Sequence, residues 1–139
     1  MKTVPMIRET ISPRSRTEMH DITKQVKRAV ADAKINTGMV IVFVPHTTAS
    51  VTLNENADPD VKHDLLRKLA DLVPQREDFY EHAEGNSDAH VKTAWVGNSA
   101  TVLVESGKVM LGRWQGIYLC EFDGPRERQV WVKLVRFEE

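Results

Sequence analysis

The stretch Met39-Val40-Ile41-Val42-Phe43-Val44, closed by Pro45-His46, decides the fold. It is far too short to span a membrane, and it is apolar on both faces. A run of that kind reads as a central β-strand covered on both sides. Upstream of it, Ile22, Val26, Ala29, Val30 and Ala33 share one face of a helix, while Lys24, Gln25, Arg28 and Asp32 share the other. Asp21 is placed to cap this helix and Gly38 marks its exit. Residues 3–11 read as a strand that ends at Ser12-Pro13, and residues 17–20 as a second, short one.

Downstream, a long loop after His46 enters a second helix at Asp58-Pro59, a capping residue followed by proline at the first helical position. Its apolar stripe is Val61, Leu65, Leu69, Leu72 and Val73, and Pro74 stops it. A third, short helix starts at Ser87 or Asp88 and runs to Val96, ending at Gly97-Asn98. After that the chain is β-rich. Residues 101–105 and 109–111 flank Ser106-Gly107-Lys108, a hairpin signal, and residues 117–122 and 129–137 follow. The pattern is α+β, with residues 1–139 forming one domain.

A chain of 139 residues is the size of one ordinary domain. It can bury roughly 68% of its extended-chain surface, so it needs no disulfide or metal staple to fold. Hydrophobic residues at 41% and charged residues at 28% exclude disorder over most of the length. Nineteen Lys and Arg against 20 Asp and Glu leave a net charge of −1, so no strongly basic surface is on offer and nucleic acid is not expected as a partner. The single cysteine, Cys120, can form neither an internal disulfide nor a zinc–thiolate cluster. The opening residues reach Arg8 and Glu9 without an apolar core, so a cytoplasmic protein with no secretory leader and no membrane partner is expected.

Five histidines are candidates for metal binding or acid–base work. His63 lies on the polar face of the second helix beside Arg67, and reads as a solvated helix residue. His20, at a strand end, reads as structural. His46 differs, because it leaves the end of a buried strand and leads into Thr47-Thr48-Ala49-Ser50. A rigid core aims groups at such a position into a cleft. His82 and His90 bracket Glu84-Gly85-Asn86-Ser87-Asp88, a turn feeding a helix N-terminus, although that spacing is not a standard zinc motif.

Among the carboxylates, Glu55, Asp58 and Asp60 cluster at the start of the second helix, where the two aspartates can serve simply as caps. Strand alternation places Glu121 on the same face as Ile117 and Leu119. A carboxylate there must be paired, with Arg126 or Arg128 as nearby partners, or functional. Trp114 reads as packing or recognition, Gln115 as a residue able to orient a ligand, and Arg126 as a turn residue able to clamp phosphate. No Walker loop, Rossmann glycine signature, CxxC pair or GxSxG elbow is present.

Taken in order, His46-Thr47-Thr48-Ala49-Ser50, Asn54-Glu55-Asn56-Ala57-Asp58-Pro59, His82-Ala83-Glu84-Gly85-Asn86, Ala89-His90, Leu111-Gly112-Arg113-Trp114-Gln115 and Glu121-Phe122-Asp123-Gly124-Pro125-Arg126 form a recognisable series. The series resembles the YjbQ-like family, whose members are often labelled secondary thiamine-phosphate synthase enzymes. The resemblance covers the chain from about Asp21 to its end. It implies a β-sandwich-like mixed sheet with about three helices, assembled as a homotrimer with pockets near the subunit contacts. It also implies that His46, His82 and His90 form a site around a divalent metal ion, with zinc the first choice and iron, manganese or nickel compatible with such donors. One departure is Arg113, where the family usually carries Thr or Ser.

The function expected from this reading is a metal-assisted enzyme acting on a small phosphorylated metabolite. In the version the resemblance implies, it joins a pyrimidine pyrophosphate to a thiazole phosphate, giving thiamine phosphate and pyrophosphate, with side-activity status open. Glu121 or Glu55 would act as acid–base group or further ligand, and Asn86 and Gln115 would orient the substrate. Arg126 would bind phosphate, with Thr47, Ser50 and Trp114 lining the substrate site. The alternatives are a metal-dependent hydrolase of a phosphate ester and a non-catalytic trimer that binds a small anion or metal.

Overall fold

The computed structural model describes residues 2–137. In chain order its elements are β1 (Lys2–Thr3), β2 (Ile7–Ile11), β3 (Glu18–Asp21), α1 (Thr23–Ala33), β4 (Gly38–Phe43), β5 (Ala49–Glu55), α2 (Pro59–Leu72), α3 (Ser87–Val96), β6 (Ser99–Glu105), β7 (Lys108–Val109), β8 (Gln115–Glu121) and β9 (Arg128–Arg136). Among the described residues they build two sheets. The larger has the order β1-β9-β4-β6-β7, with β2 also on β9, and the smaller is β3-β8-β5. Every strand pairing is antiparallel, where a mixed sheet was expected.

Alternation along the strands makes the core. Val40, Val42, Val102, Val104, Val130, Val132 and Leu134 of the larger sheet face Ala49, Val51, Ile117 and Leu119 of the smaller one, and α1 adds Val26, Ala29 and Val30. The other face of the smaller sheet carries Tyr118 and Cys120, followed by Phe122. There they meet Ala89 of α3 and Leu65, Leu66 and Leu69 of α2. Both α2 and α3 thus serve the smaller sheet. Among the described residues no layer covers the outer face of the larger sheet, so β4 is not covered on both sides. Met39 and Ile41 are half-buried and Phe43 is 39% exposed.

Other boundaries shift for local reasons. The expected first strand breaks around Pro5, which has no N–H to give to a ladder, and its two pieces both pair with β9. Asp21 lies one residue before the N-cap position, yet its carboxylate accepts from the Thr23 N–H at 2.9 Å, and the Thr23 hydroxyl accepts from the Ile117 N–H at 2.9 Å, tying α1 to β8. The helix ends at Lys34 in a left-handed conformation (φ 54°), not at Gly38. Gly38 belongs to β4, where a Cβ would sit 2.0 Å from the Val135 carbonyl oxygen.

The long loop expected after His46 is instead strand β5. In α2, Asp58 caps as expected, accepting from the Asp60 N–H at 2.9 Å, but Leu72 is 56% exposed and lies off the packed face. The hairpin forms with positive φ at both Ser106 (50°) and Gly107 (77°), the backbone a two-residue turn between twisted strands requires. Among the described residues no helix is long and apolar enough to cross a membrane.

Candidate functional site

At the end of β4 the chain turns outward and a cleft of about 440 Å³ opens between that turn and the segment leading into β9. Its polar lining is His46, Thr47, Thr48, Asn98, Arg126 and Arg128. Asn98 fixes the turn, its Nδ2 donating to the carbonyls of Val44 (2.9 Å) and His46 (2.8 Å). The Gln129 N–H donates to Nε2 of His46 at 2.9 Å. With Nε2 accepting, the neutral ring carries its proton on Nδ1. Burial, and then the charge of Arg128, hold the His46 imidazole below its ordinary value of 6.5. The ring is therefore a neutral N–H donor at neutral pH.

Arg128, expected only as a pairing partner for Glu121, also lines the cleft. Its Nε donates to Glu121 Oε1 at 2.7 Å, its Nη2 to Glu121 Oε2, and the same nitrogen to the Thr48 hydroxyl at 2.8 Å. Glu121 is fully buried, and its Oε2 also accepts from the Asp123 N–H at 2.9 Å. Both carboxylate oxygens are thus taken. Glu121 sits on the core face that alternation assigned to it, but it positions Arg128 and does not face the cleft as an acid–base group. The signal for Arg128 was its place at the start of β9, opposite the Glu121 end of β8.

A second cluster adjoins the first through Asp123. Arg126 pairs with Asp123 at 3.0 Å, and Asn86 Nδ2 donates to the same Asp123 oxygen at 2.8 Å. Asn86 stands at the N-terminus of α3, and its Oδ1 is buried without a hydrogen-bond partner among the described residues. Further along α3, Asp88 is fully buried between Arg16 (3.0 Å) and Lys92 (2.9 Å). Burial pushes its carboxyl up, but the hydrogen bonds and charges of Arg16 and Lys92 outweigh that and hold it below the ordinary range. His82 and His90 also meet here, with ring centroids 5.3 Å apart and planes perpendicular.

The remaining candidates lie elsewhere. Glu55 and Gln115 face each other in the β5–β8 register, six residues along from the Ala49–Glu121 pair. At ~3.3 Å per residue that is roughly 20 Å away along the sheet. Gln115 Oε1 accepts from the Gly112 N–H at 2.7 Å, and Trp114 is exposed, with the Arg113 guanidinium 4.7 Å from its ring centroid. Arg113 therefore stands at that far end and not in the cleft. Ser50 is fully buried beside Cys120 and lines no cleft, because its position in β5 points it at the second core cluster. His20 pairs with Glu18 at 3.0 Å and His63 with Asp64 at 3.1 Å, as befits structural and solvated residues.

The three motif histidines do not gather within one chain. Among the described residues no three His, Cys, Asp or Glu side chains are arranged to hold a metal ion. His46 has neither ring nitrogen free as a lone-pair donor while Gln129 holds it. His82 and His90 adjoin with ring centroids 5.3 Å apart, and Nε2 of His82 lies 3.4 Å from Glu84 Oε2, so the two imidazoles supply at most half of a tetrahedral donor set.

A family model described as UPF0047 protein YjbQ-like matches residues 8–137. The chain is 48% identical to UPF0047 protein MJ1081 of Methanocaldococcus jannaschii, across 90% of each chain, and 47% identical to UPF0047 protein YugU of Bacillus subtilis, across 90% of this chain and 95% of that one. It is similar to the crystal structure of an uncharacterized conserved protein of the YjbQ/UPF0047 family from Clostridium acetobutylicum, with a TM-score of 0.91 and 48% identity over 93% of this chain and 99% of that one. A YbjQ-like protein of unknown function from Sulfolobus solfataricus gives a TM-score of 0.92 at 30% identity, over 98% and 99%. The two sheets and three helices of the described residues, the motif series and these matches agree: the chain belongs to the YjbQ-like UPF0047 family.

Proposed function

We propose that this protein is a cytoplasmic enzyme acting on a small phosphorylated metabolite whose phosphate is received in the cleft at His46. The observation that carries the reading is the convergence on one cleft of two guanidiniums, a neutral imidazole N–H donor and the Thr47 hydroxyl. Arg128 is held rigidly by Glu121 and Thr48 with its charge balanced by Glu121, so it offers the cleft a preorganised guanidinium edge. Arg126 is half-exposed on its Asp123 tether and can close on an incoming oxyanion. In the reaction the family resemblance implies, a pyrimidine pyrophosphate joins a thiazole phosphate. The chain's task is then to neutralise the departing pyrophosphate, and these donors supply that. A divalent ion, held by His82 and His90 with further donors from another copy, would add Lewis-acid neutralisation of phosphate oxygens.

We also propose that the exposed outer face of the larger sheet is covered in the homotrimer. Met39, Ile41 and Phe43 of β4 share that face, with Leu103 beside Met39 and Trp131 beside Phe43 (ring centroids 5.9 Å apart), an apolar row flanked at Ile41 by Thr101 and Lys133. Assembly is also the route by which Glu55, Trp114 and Gln115 could reach a cleft, since within one chain they stand at the far end of the sheet. Sedimentation should give three times the 15.8 kDa chain mass.

The test of the function is to supply the pyrimidine pyrophosphate and the thiazole phosphate together and follow thiamine phosphate and released pyrophosphate, with Arg126→Ala alongside. Coupled formation of both products, lost in the variant, supports the reading. Release of inorganic phosphate from a phosphate ester without acceptor would favour the hydrolase. One observation favours the non-catalytic alternative: the carboxylates nearest the cleft, Glu121 and Asp123, are both engaged. Saturable binding of pyrophosphate with no turnover of either kind would establish that alternative.

A further inference from the structure

Beneath α2, on the side of the smaller sheet turned away from the main core, lies a cavity of about 150 Å³. Its floor is Thr52 and Asn54 of β5 with Cys120 and Phe122 of the β8 segment, and its roof is Leu65, Leu66 and Leu69 of α2. No lining residue carries a charge. Burial pushes the Cys120 thiol up to about 12, so it too stays neutral. The cavity is open to solvent at one side, and a pocket of this volume with apolar walls is of the size that accepts one six-membered ring. Its polar lining is confined to Thr52 and Asn54, and Asn54 Oδ1 already accepts from the Glu55 N–H at 2.8 Å, so the remaining walls hold water poorly and favour an apolar occupant.

None of the residues of α2 is fully buried, although three of its leucines face the sheet. Through the open side a ligand reaches the cavity without displacing the helix. We propose that this cavity binds a small uncharged compound built on one aromatic or heteroaromatic ring, packed between the α2 leucines and Phe122, with Thr52 able to meet a single polar substituent. It is distinct from the anion cleft, since alternation along β8 sends Cys120 and Phe122 to this side and Glu121, between them, to the other.

The test is a titration of the full chain, methyl-labelled at Leu and Met, with benzene, phenol and benzoate. The expected result is saturable shifts of the Leu65, Leu66, Leu69 and Met19 methyls with benzene and phenol, nuclear Overhauser contacts from the ring protons to those methyls, and an unfolding midpoint that rises with benzene concentration. Benzoate should leave the methyls unmoved. Leu66→Trp from the roof, or Thr52→Leu from the floor, should weaken benzene binding at least tenfold with the fold retained by circular dichroism. Absence of saturable shifts up to the solubility limit of benzene would overturn the proposal. So would equal binding of benzoate, or a mixed-label sample showing a second copy's side chain in the cavity.

Discussion

Replacing Glu121 by Gln removes one charge from a pair almost wholly withdrawn from solvent: Glu121 is fully buried, and Arg128 is 3% exposed, at the cleft wall. The guanidinium keeps the hydroxyl and carbonyl of Thr48 as partners but loses its counter-charge. Breaking a buried ion pair by removing one partner costs about 3–5 kcal/mol, mostly from the charge left behind. For a domain of this size each kcal/mol lowers the midpoint by roughly 3–4 °C, so a fall on the order of 10–15 °C is expected. Urea unfolding at pH 7, followed by tryptophan fluorescence, reads the same loss as a lower midpoint at unchanged slope. Replacing both partners, Glu121→Leu with Arg128→Met, should recover most of the loss, since an apolar pair of similar volume carries no unpaired charge. A single variant within about 1 kcal/mol of wild type, or a double variant as unstable as the single one, would refute the assignment of Glu121 as the buried partner of Arg128.

Asp88 gives a pH prediction of defined sign. Its carboxyl is held below the ordinary aspartate value of 3.8, so its contribution is present above that value and is lost as pH falls through the lower folded one. Wild-type stability should drop in acid below about pH 4, and Asp88→Asn should be less stable at pH 7 yet show a flatter acid limb in urea titrations. The Cys120 thiol should resist a thiol reagent at pH 8 in the folded chain and react fully in denaturant, because burial keeps it protonated. Gly38→Ala should cost about 1–3 kcal/mol, since the new methyl would meet the Val135 carbonyl oxygen at 2.0 Å and neither backbone can retreat without breaking the β4–β9 ladder.

Much of the fold is legible wherever a local rule acts alone. The cap at Asp58-Pro59, the limits of α3, the Ser106-Gly107 turn and the alternation of Ile117, Leu119 and Glu121 all follow from neighbours a few residues apart. β5 escapes because its inward residues, Ala49 and Val51, alternate with buried Ser50 and then with Thr52 and Asn54. Small polar residues packed under α2 blur the contrast that marks a strand. β4 misleads for the opposite reason: its outer apolar residues ask for a covering layer that this chain places on the other sheet. The site is less legible than the fold. Whether Arg126 or Arg128 pairs with Glu121 depends on where β9 begins, and whether His46 meets His82 and His90 depends on the packing of α3 against β5. Neither is written in the local sequence.

Whether the cleft of His46, Arg126 and Arg128 receives a phosphate is read by calorimetric titration of the wild-type chain with inorganic pyrophosphate, beside Arg126→Ala and the α2 surface variant Arg67→Ala. Arg67 lies on the exposed face of α2, paired with Asp71 at 3.1 Å. Saturable binding in wild type and Arg67→Ala, weakened at least tenfold in Arg126→Ala, is the predicted result. No saturable binding in wild type, or equal binding in all three, would contradict it.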